Sequence, residues 1–196
     1  MNSTCSPAGR GCAFEENRYG EQARRAAFEN HGLFLRRPRA HTEHFWKVWA
    51  YAALIGRREG LDARTQEILE AAAIVHDVGI RVSERKYGSS AGPLQEREGP
   101  PVAEKLLRKA GYDAEAVARV ACLVGRHHTY TAIDGADNQI LVEADFLVNL
   151  YEDGASEQAV RAAEEKIFKT AAGKELLEDM FLPGEGQGSS GCVPGL

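Results

Sequence analysis

Apolar residues recur at helical spacing through most of this chain, and no segment shows the apolar and polar alternation of a half-buried strand. The same stretch is rich in alanine, leucine, glutamate and arginine, which are good helix formers. The pattern therefore predicts an all-α bundle of about seven helices. With 196 residues the chain is long enough to bury a core without disulfides or a structural metal.

Capping residues, glycines and prolines set the predicted helix ends. Asp62 and Asp113 stand at N-cap positions, and Pro100-Pro101 is expected in the first turn of its helix. Residues 79–99 and 129–137 are predicted loops, and the first is longer than most connections, as functional loops often are. The predicted helices cover about residues 15–30, 42–58, 63–76, 100–111, 113–128, 138–152 and 155–170, with a further turn or two near 174–180.

The chain is expected to form one domain with two tails. Residues 1–13 are small, polar and glycine-rich, which predicts a disordered N-terminal segment. Residues 183–196 have a similar composition and are expected to form a flexible glycine-rich tail. Residues 14–182 then form the single helical domain.

Charge and cysteine usage exclude several classes of protein. The chain has 24 Lys and Arg against 29 Asp and Glu, a net charge of −5, which is not the basic surface of a nucleic-acid-binding protein. No apolar run approaches the roughly 20 residues of a membrane span, and the first residues lack the apolar core of a signal peptide. The four cysteines form no CxxC pair, so free thiols in a reducing cytoplasm are expected.

Several predicted helices carry a histidine or an aspartate on an otherwise apolar face. An ionised aspartate on such a face costs several kcal/mol unless something compensates it, and a cation held by imidazole and carboxylate groups would do so. None of the residues is a thiol, so the set suits Fe, Mn, Mg, Co or Zn with open coordination positions rather than a closed cysteine zinc site. The candidate ligands are His44, His76, Asp77, His127, His128 and Asp145.

The order H…HD…D, formed by His44, His76-Asp77 and Asp145, resembles the HD superfamily of metal-dependent phosphohydrolases. The segment AAAIVHDVG at 71–79 is similar to the family's LLHDIG, and VEAD at 142–145 is similar to its closing segment. The resemblance covers about residues 40–152. It implies an α-helical HD domain that holds a divalent transition metal through these four residues, with Fe, Mn, Co or Zn favoured over Mg.

His127 and His128 extend the resemblance, because many two-metal members carry a histidine pair here and another histidine at the start of the preceding helix. Glu98 stands where that further histidine would be, and Glu96 is the alternative ligand if the register differs. The alternative interpretation is that the histidine pair caps a helix C-terminus and that Glu98 is an acidic residue at the start of a helix. The number of metals per chain, one or two, therefore remains open.

The resemblance implies hydrolysis of a nucleotide or another small phosphate ester, with a metal-activated water attacking phosphorus. Asp77 is the expected bridging ligand, and Asp145 is expected to accept a proton from the nucleophile, so both are candidate catalytic residues. Cationic or amide side chains near these ligands are candidate substrate contacts, although most surface Arg and Lys are only solvated. These candidates are Arg81, Lys86, Arg126 and Asn149.

Two other functions remain compatible with the same residues. One is a two-iron oxygenase of a small substrate, which would depend on O₂; the other is a non-catalytic ligand-sensing module, which a ligand would stabilise without turnover.

Trp46 and Trp49 belong to the core or to the face of a homodimer. The sequence identifies neither the substrate nor the pathway.

Overall fold

The structure, a computed structural model, describes residues 39–182, with side chains from residue 43 onwards. This range contains eight α-helices, one 3₁₀ turn and no strand, which confirms the predicted all-α bundle. The predicted helix at 15–30 and the two predicted tails lie outside the described residues.

The observed helices begin close to the predicted caps. Asp62 and Asp113 each accept a hydrogen bond from a backbone N–H in the first turn of the helix that follows, as predicted, and Ser156 does the same for the helix that begins at Glu157. The elements are α1 (Arg39–Arg58), α2 (Ala63–Val75), a 3₁₀ turn (His76–Gly79), α3 (Ile80–Tyr87), α4 (Gly92–Ala110), α5 (Ala114–Val124), α6 (Ala136–Glu152), α7 (Glu157–Lys166) and α8 (Ala171–Phe181).

The prediction of a long loop at 79–99 is wrong, because this segment holds α3 and the first part of α4. The glycine and proline signals mark only a short connection. Gly88 ends α3 in the left-handed conformation, with φ of 65°, and Pro93 lies in the first turn of α4. The sequence predicts Pro100-Pro101 in the first turn of its helix, but the pair lies inside α4.

Two further boundaries differ from the prediction. Helix α5 ends at Val124, so His127 and His128 lie in the turns that follow it and not on the helix. The predicted seventh helix ends at Lys166 instead of near residue 170, and the further turn or two predicted near 174–180 is the full helix α8, which Thr170 caps by accepting from the backbone N–H of Gly173. A tertiary contact explains the break between α7 and α8, because the buried carboxylate of Glu143 accepts hydrogen bonds from the backbone between the two helices.

The core is built from apolar faces that most of the described helices contribute. Helix α1 packs on α2 and α6, while α4 packs on α5 and on the 3₁₀ turn. Val48, Leu69, Leu107, Leu141 and Phe168 are fully buried. No helix in residues 39–182 combines the length and apolar character needed to cross a bilayer. The packing brings the start of α1, the 3₁₀ turn, the turns after α5 and the middle of α6 together.

Gly79 allows α4 to cross the 3₁₀ turn at short range. A Cβ atom on Gly79 would lie 2.5 Å from the carbonyl oxygen of Gln95 and 3.0 Å from the backbone nitrogen of Gly99. Both atoms are backbone and cannot rotate away. We expect Gly79→Ala to lower the free energy of unfolding by about 1–3 kcal/mol through overpacking. Urea denaturation tests this, and a midpoint equal to that of the wild type would show that α4 moves aside freely.

Candidate metal centre

Four segments of the bundle bring six of the predicted ligands together in two neighbouring sets. Group A consists of His44, His76 and Asp145, and its potential ligand atoms lie within 4.8 Å of one another. Group B consists of Asp77, His127 and His128 and meets the same limit. The two groups combine residues from α1, the 3₁₀ turn, the turns after α5, and α6.

Two imidazoles are oriented by the ends of the helices that precede them. Nδ1 of His76 lies 2.9 Å from the carbonyl oxygen of Ala73, and Nδ1 of His127 lies 2.8 Å from that of Val124. The last carbonyls of a helix lack intrahelical partners, and a carbonyl only accepts, so Nδ1 must donate in both cases. The lone pair of each ring is therefore on Nε2, which is buried and has no hydrogen-bond partner.

His44 is oriented by a carboxylate instead. Its Nδ1 lies 3.0 Å from Oε2 of Glu152, and its Nε2 lies 3.1 Å from Oδ1 of Asp145. Glu152 was not among the predicted residues of the site. The sequence spacing could have predicted this residue, because Glu152 follows Asp145 by two helical turns and therefore lies on the same face of α6.

Asp77, a member of group B, also faces group A, because its two carboxylate oxygens point towards different histidines. Oδ2 lies 3.5 Å from Nε2 of His76 and 3.9 Å from Nε2 of His44, whereas Oδ1 lies 3.6 Å from Nε2 of His127. These separations are too long for hydrogen bonds. They are close to the roughly 3.0–3.5 Å between neighbouring ligands of one ion bound at about 2.1 Å. The Asp77 carboxylate therefore faces the imidazoles of both groups.

The electrostatics keep the carboxylates anionic. Burial alone would raise the pKa of Asp77, but the imidazoles of His76 and His127 hold that pKa well below its usual range. Burial likewise opposes ionisation of Asp145, and its hydrogen bond with His44 lowers the pKa. Burial also opposes the charge on His44, yet the bond to Asp145 and the charge of Asp77 raise the pKa of His44 to about 9. A cation that binds Nε2 of His44 must therefore displace a proton.

The residues present fit a divalent transition metal. The Nε2 atoms of His76, His127 and His128 are all buried without a hydrogen-bond partner, which is costly unless a ligand completes them. Burial lowers the pKa values of His76 and His128, which favours the neutral, ligating form. Imidazole and carboxylate donors without a thiolate suit Fe, Mn, Co or Zn. The Asp77 side chain is 23% exposed, so the centre has access to solvent.

Glu98, the seventh predicted ligand, belongs to neither group. Its carboxylate accepts hydrogen bonds from the ammonium group of Lys86 and, at 2.7 Å, from the hydroxyl of Tyr87. These contacts occupy the side chain that was a candidate ligand of a second metal. Lys86 was a predicted phosphate contact and is paired here with Glu98 instead.

Glu96, the alternative to Glu98, holds the turn that carries the histidine pair. Its carboxylate accepts from the backbone N–H of His128 at 3.0 Å and from the hydroxyl of Thr129 at 2.9 Å. Arg119 binds the end of the same connection through Asp134 and Asp137, each at 2.8 Å. Glu96 therefore contributes to the centre by fixing the backbone at the second histidine.

The other candidate substrate contacts lie at the surface or near it. Arg81 and Arg126 have exposed side chains, and Asn149 is half-buried on α6. Tyr130, which was not among the predicted site residues, packs its ring edge-on against Phe146 with centroids 5.1 Å apart. Burial and the negative charges of Asp145 and Glu96 raise the pKa of Tyr130 to about 12.

Comparison with known proteins agrees with this geometry. A family model described as HD domain matches residues 42–172, which is more than half of the chain and contains every residue of groups A and B. The curated proteins and the solved structures contain no match to this chain.

Proposed function

Because the chain belongs to the HD domain family of metal-dependent phosphohydrolases, we propose that it hydrolyses a nucleotide or another small phosphate ester. The observation that carries the proposal is the position of Asp77, whose two oxygens face groups A and B separately. A shared carboxylate between two imidazole-rich sets is suited to two divalent cations that act on one phosphoryl group.

The roles of the ligands follow from their positions. Group A would hold one cation through His44, His76 and Asp145, and group B a second through Asp77, His127 and His128. A cation bound there would polarise a phosphoryl oxygen and lower the pKa of a water molecule.

The two carboxylates have different tasks in this proposal. Asp77 borders the solvent-accessible side, where a phosphate would enter. Asp145 is almost fully buried, and its carboxylate is proposed to accept the proton of the nucleophile.

The properties of the substrate are inferred from charge and exposure. A chain with a net charge of −5 is suited to one small phosphorylated molecule better than to a nucleic-acid backbone. Arg81, Arg126 and Asn149 are proposed to contact it, since their side chains are exposed or half-exposed. Cys122 is a free thiol, which is compatible with the proposed cytoplasmic location.

The test combines metal analysis with an activity panel. Chain purified without air should contain Fe, Mn, Co or Zn and should release inorganic phosphate from at least one nucleotide or small phosphate ester. Chelation should lower that rate by at least about 100-fold, since the cation supplies several kcal/mol of transition-state stabilisation, and readdition of the metal should restore it.

The other outcomes of this test identify the competing functions. Consumption of O₂ with a visible iron chromophore, and no phosphate release, would favour the two-iron oxygenase. Ligand-dependent stabilisation without turnover would favour the sensing module. A chain that takes up no metal would contradict all metal-dependent readings of the centre.

A further inference from the structure

The histidines of the centre are held in two different ways. Backbone carbonyls accept from Nδ1 of His76 and His127, and these acceptors come with the helix ends. His44 instead faces the carboxylate of Glu152, with 3.0 Å between Nδ1 and Oε2. His44 is thus the ring whose orientation depends on a side chain from a distant helix.

Glu152 is itself held at both oxygens. Its Oε1 accepts from the ammonium group of Lys47 at 3.0 Å, while Oε2 faces His44. Lys47 lies 5.9 Å from the centroid of the Tyr151 ring, which holds the cation at this end of α6. The rotamer of Glu152 is therefore defined, and with it the direction in which the ring of His44 points.

The ion pair between Lys47 and Glu152 is a poor explanation for the cluster by itself. The two side chains are 38% and 31% exposed, and ion pairs at such exposure contribute little to stability. The bond to His44 is different, because the His44 side chain is only 12% exposed and its other nitrogen faces the centre. The cluster of Lys47 and Glu152 therefore orients the ring of His44 more than it stabilises the packing of α1 on α6.

A carboxylate acceptor does more for a ligand histidine than a carbonyl does. It keeps the proton on Nδ1, leaves the lone pair on Nε2, and increases the basicity of Nε2 through its negative charge. Group B has no comparable partner among its described contacts, since His127 uses the carbonyl of Val124. The two groups are therefore supported unequally.

We propose that Glu152 is a positioning residue that sets the metal affinity of group A through His44, and that group B is independent of it. This inference rests on the proposed function, because it requires that the centre binds metal. Lys47 is a secondary support that holds Glu152 in place.

Titration of the metal-free full chain with Co²⁺, followed by calorimetry and visible absorption, tests the proposal. Glu152→Ala should weaken one class of Co²⁺ sites by about 10–100-fold and change its absorption bands, while the other class stays within about twofold. Glu152→Gln should give an intermediate loss, since its amide oxygen still accepts from Nδ1 but carries no charge. This variant carries the test if the alanine variant does not fold.

A double-mutant cycle with His44→Ala separates positioning from general destabilisation. If Glu152 acts through His44, then Glu152→Ala should cause no further loss of Co²⁺ affinity in the His44→Ala background. An equal loss in both backgrounds, or an equal loss at both classes of site, would overturn the proposal.

Asp153→Asn is the matched control, because it removes an exposed carboxylate next to Glu152 in the chain and leaves the contact of Glu152 with His44. It should change Co²⁺ affinity by less than about threefold, whereas Lys47→Gln, which removes only the secondary support, should cause a smaller loss than Glu152→Ala. A loss in Asp153→Asn as large as that in Glu152→Ala would show that the negative charge at this end of α6, and not the contact with His44, sets the affinity, and would overturn the proposal. Normal Co²⁺ binding by Glu152→Ala would overturn this inference alone, whereas a wild type that binds no Co²⁺ would overturn the proposed function with it.

Discussion

Replacing Asp77 by asparagine is expected to lower the metal content of both groups and to reduce phosphate release by at least about 1000-fold. Oδ2 of Asp77 lies 3.5 Å from Nε2 of His76, and Oδ1 lies 3.6 Å from Nε2 of His127. An amide leaves one of these positions with a nitrogen that only donates hydrogen bonds. It also removes the negative charge that both sets share. Elemental analysis and phosphate release measure the two effects.

Two controls define what the result means. Asp145→Asn changes group A alone, so it is expected to leave metal in group B. Asp179→Asn replaces an exposed aspartate on α8 and should match the wild type in both measurements. If Asp77→Asn kept its full metal content, the carboxylate would not be a shared ligand, and the two-cation arrangement would have to be abandoned.

Replacing Glu143 by alanine is expected to lower the free energy of unfolding by about 4 kcal/mol, although the residue is only two positions from Asp145. Glu143 is fully buried and accepts from the backbone N–H groups of Lys169 at 2.7 Å and Thr170 at 2.9 Å. Each N–H group left without an acceptor costs about 1–3 kcal/mol. The loss corresponds to a decrease in melting temperature of roughly 10 °C.

The matched variants test whether this loss is specific. Glu143→Gln keeps an acceptor oxygen and should lose less stability than the alanine variant, while Glu165→Ala, at an exposed position of α7, should lose almost none. The metal content of folded Glu143→Ala should equal that of the wild type, because Glu143 belongs to neither ligand group. A stability change below about 1 kcal/mol would show that another contact holds the backbone between α7 and α8.

The helical architecture was predictable because it depends on local periodicity. The faces that contain Val48 or Leu141 are visible as apolar stripes, and caps such as Asp62 act on their own first turn. The error at 79–99 arose because clustered glycines and a proline were interpreted as a loop, whereas Gly88 and Pro93 end one helix and start the next.

The residues of groups A and B were predictable for a different reason. Aspartates and histidines on apolar faces are expensive to bury, and their order along the chain resembles a known signature. Glu98 and Glu96 show the limit of this reasoning, since both were candidate ligands and neither belongs to group A or group B. The partners of Glu98, Lys86 and Tyr87, come from α3, and the backbone that Glu96 holds comes after α5.

The sequence by itself determined the class of fold and predicted the six residues that form groups A and B, because periodicity and residue type are local properties of the chain. Only the tertiary structure decided which carboxylates reach the imidazoles. Asp145, Glu143 and Glu152 all lie on α6, yet one belongs to group A, one holds the backbone between α7 and α8, and one orients His44. These roles depend on which helix packs against each face of α6. Contacts between residues about 100 positions apart cannot be predicted from a local sequence pattern.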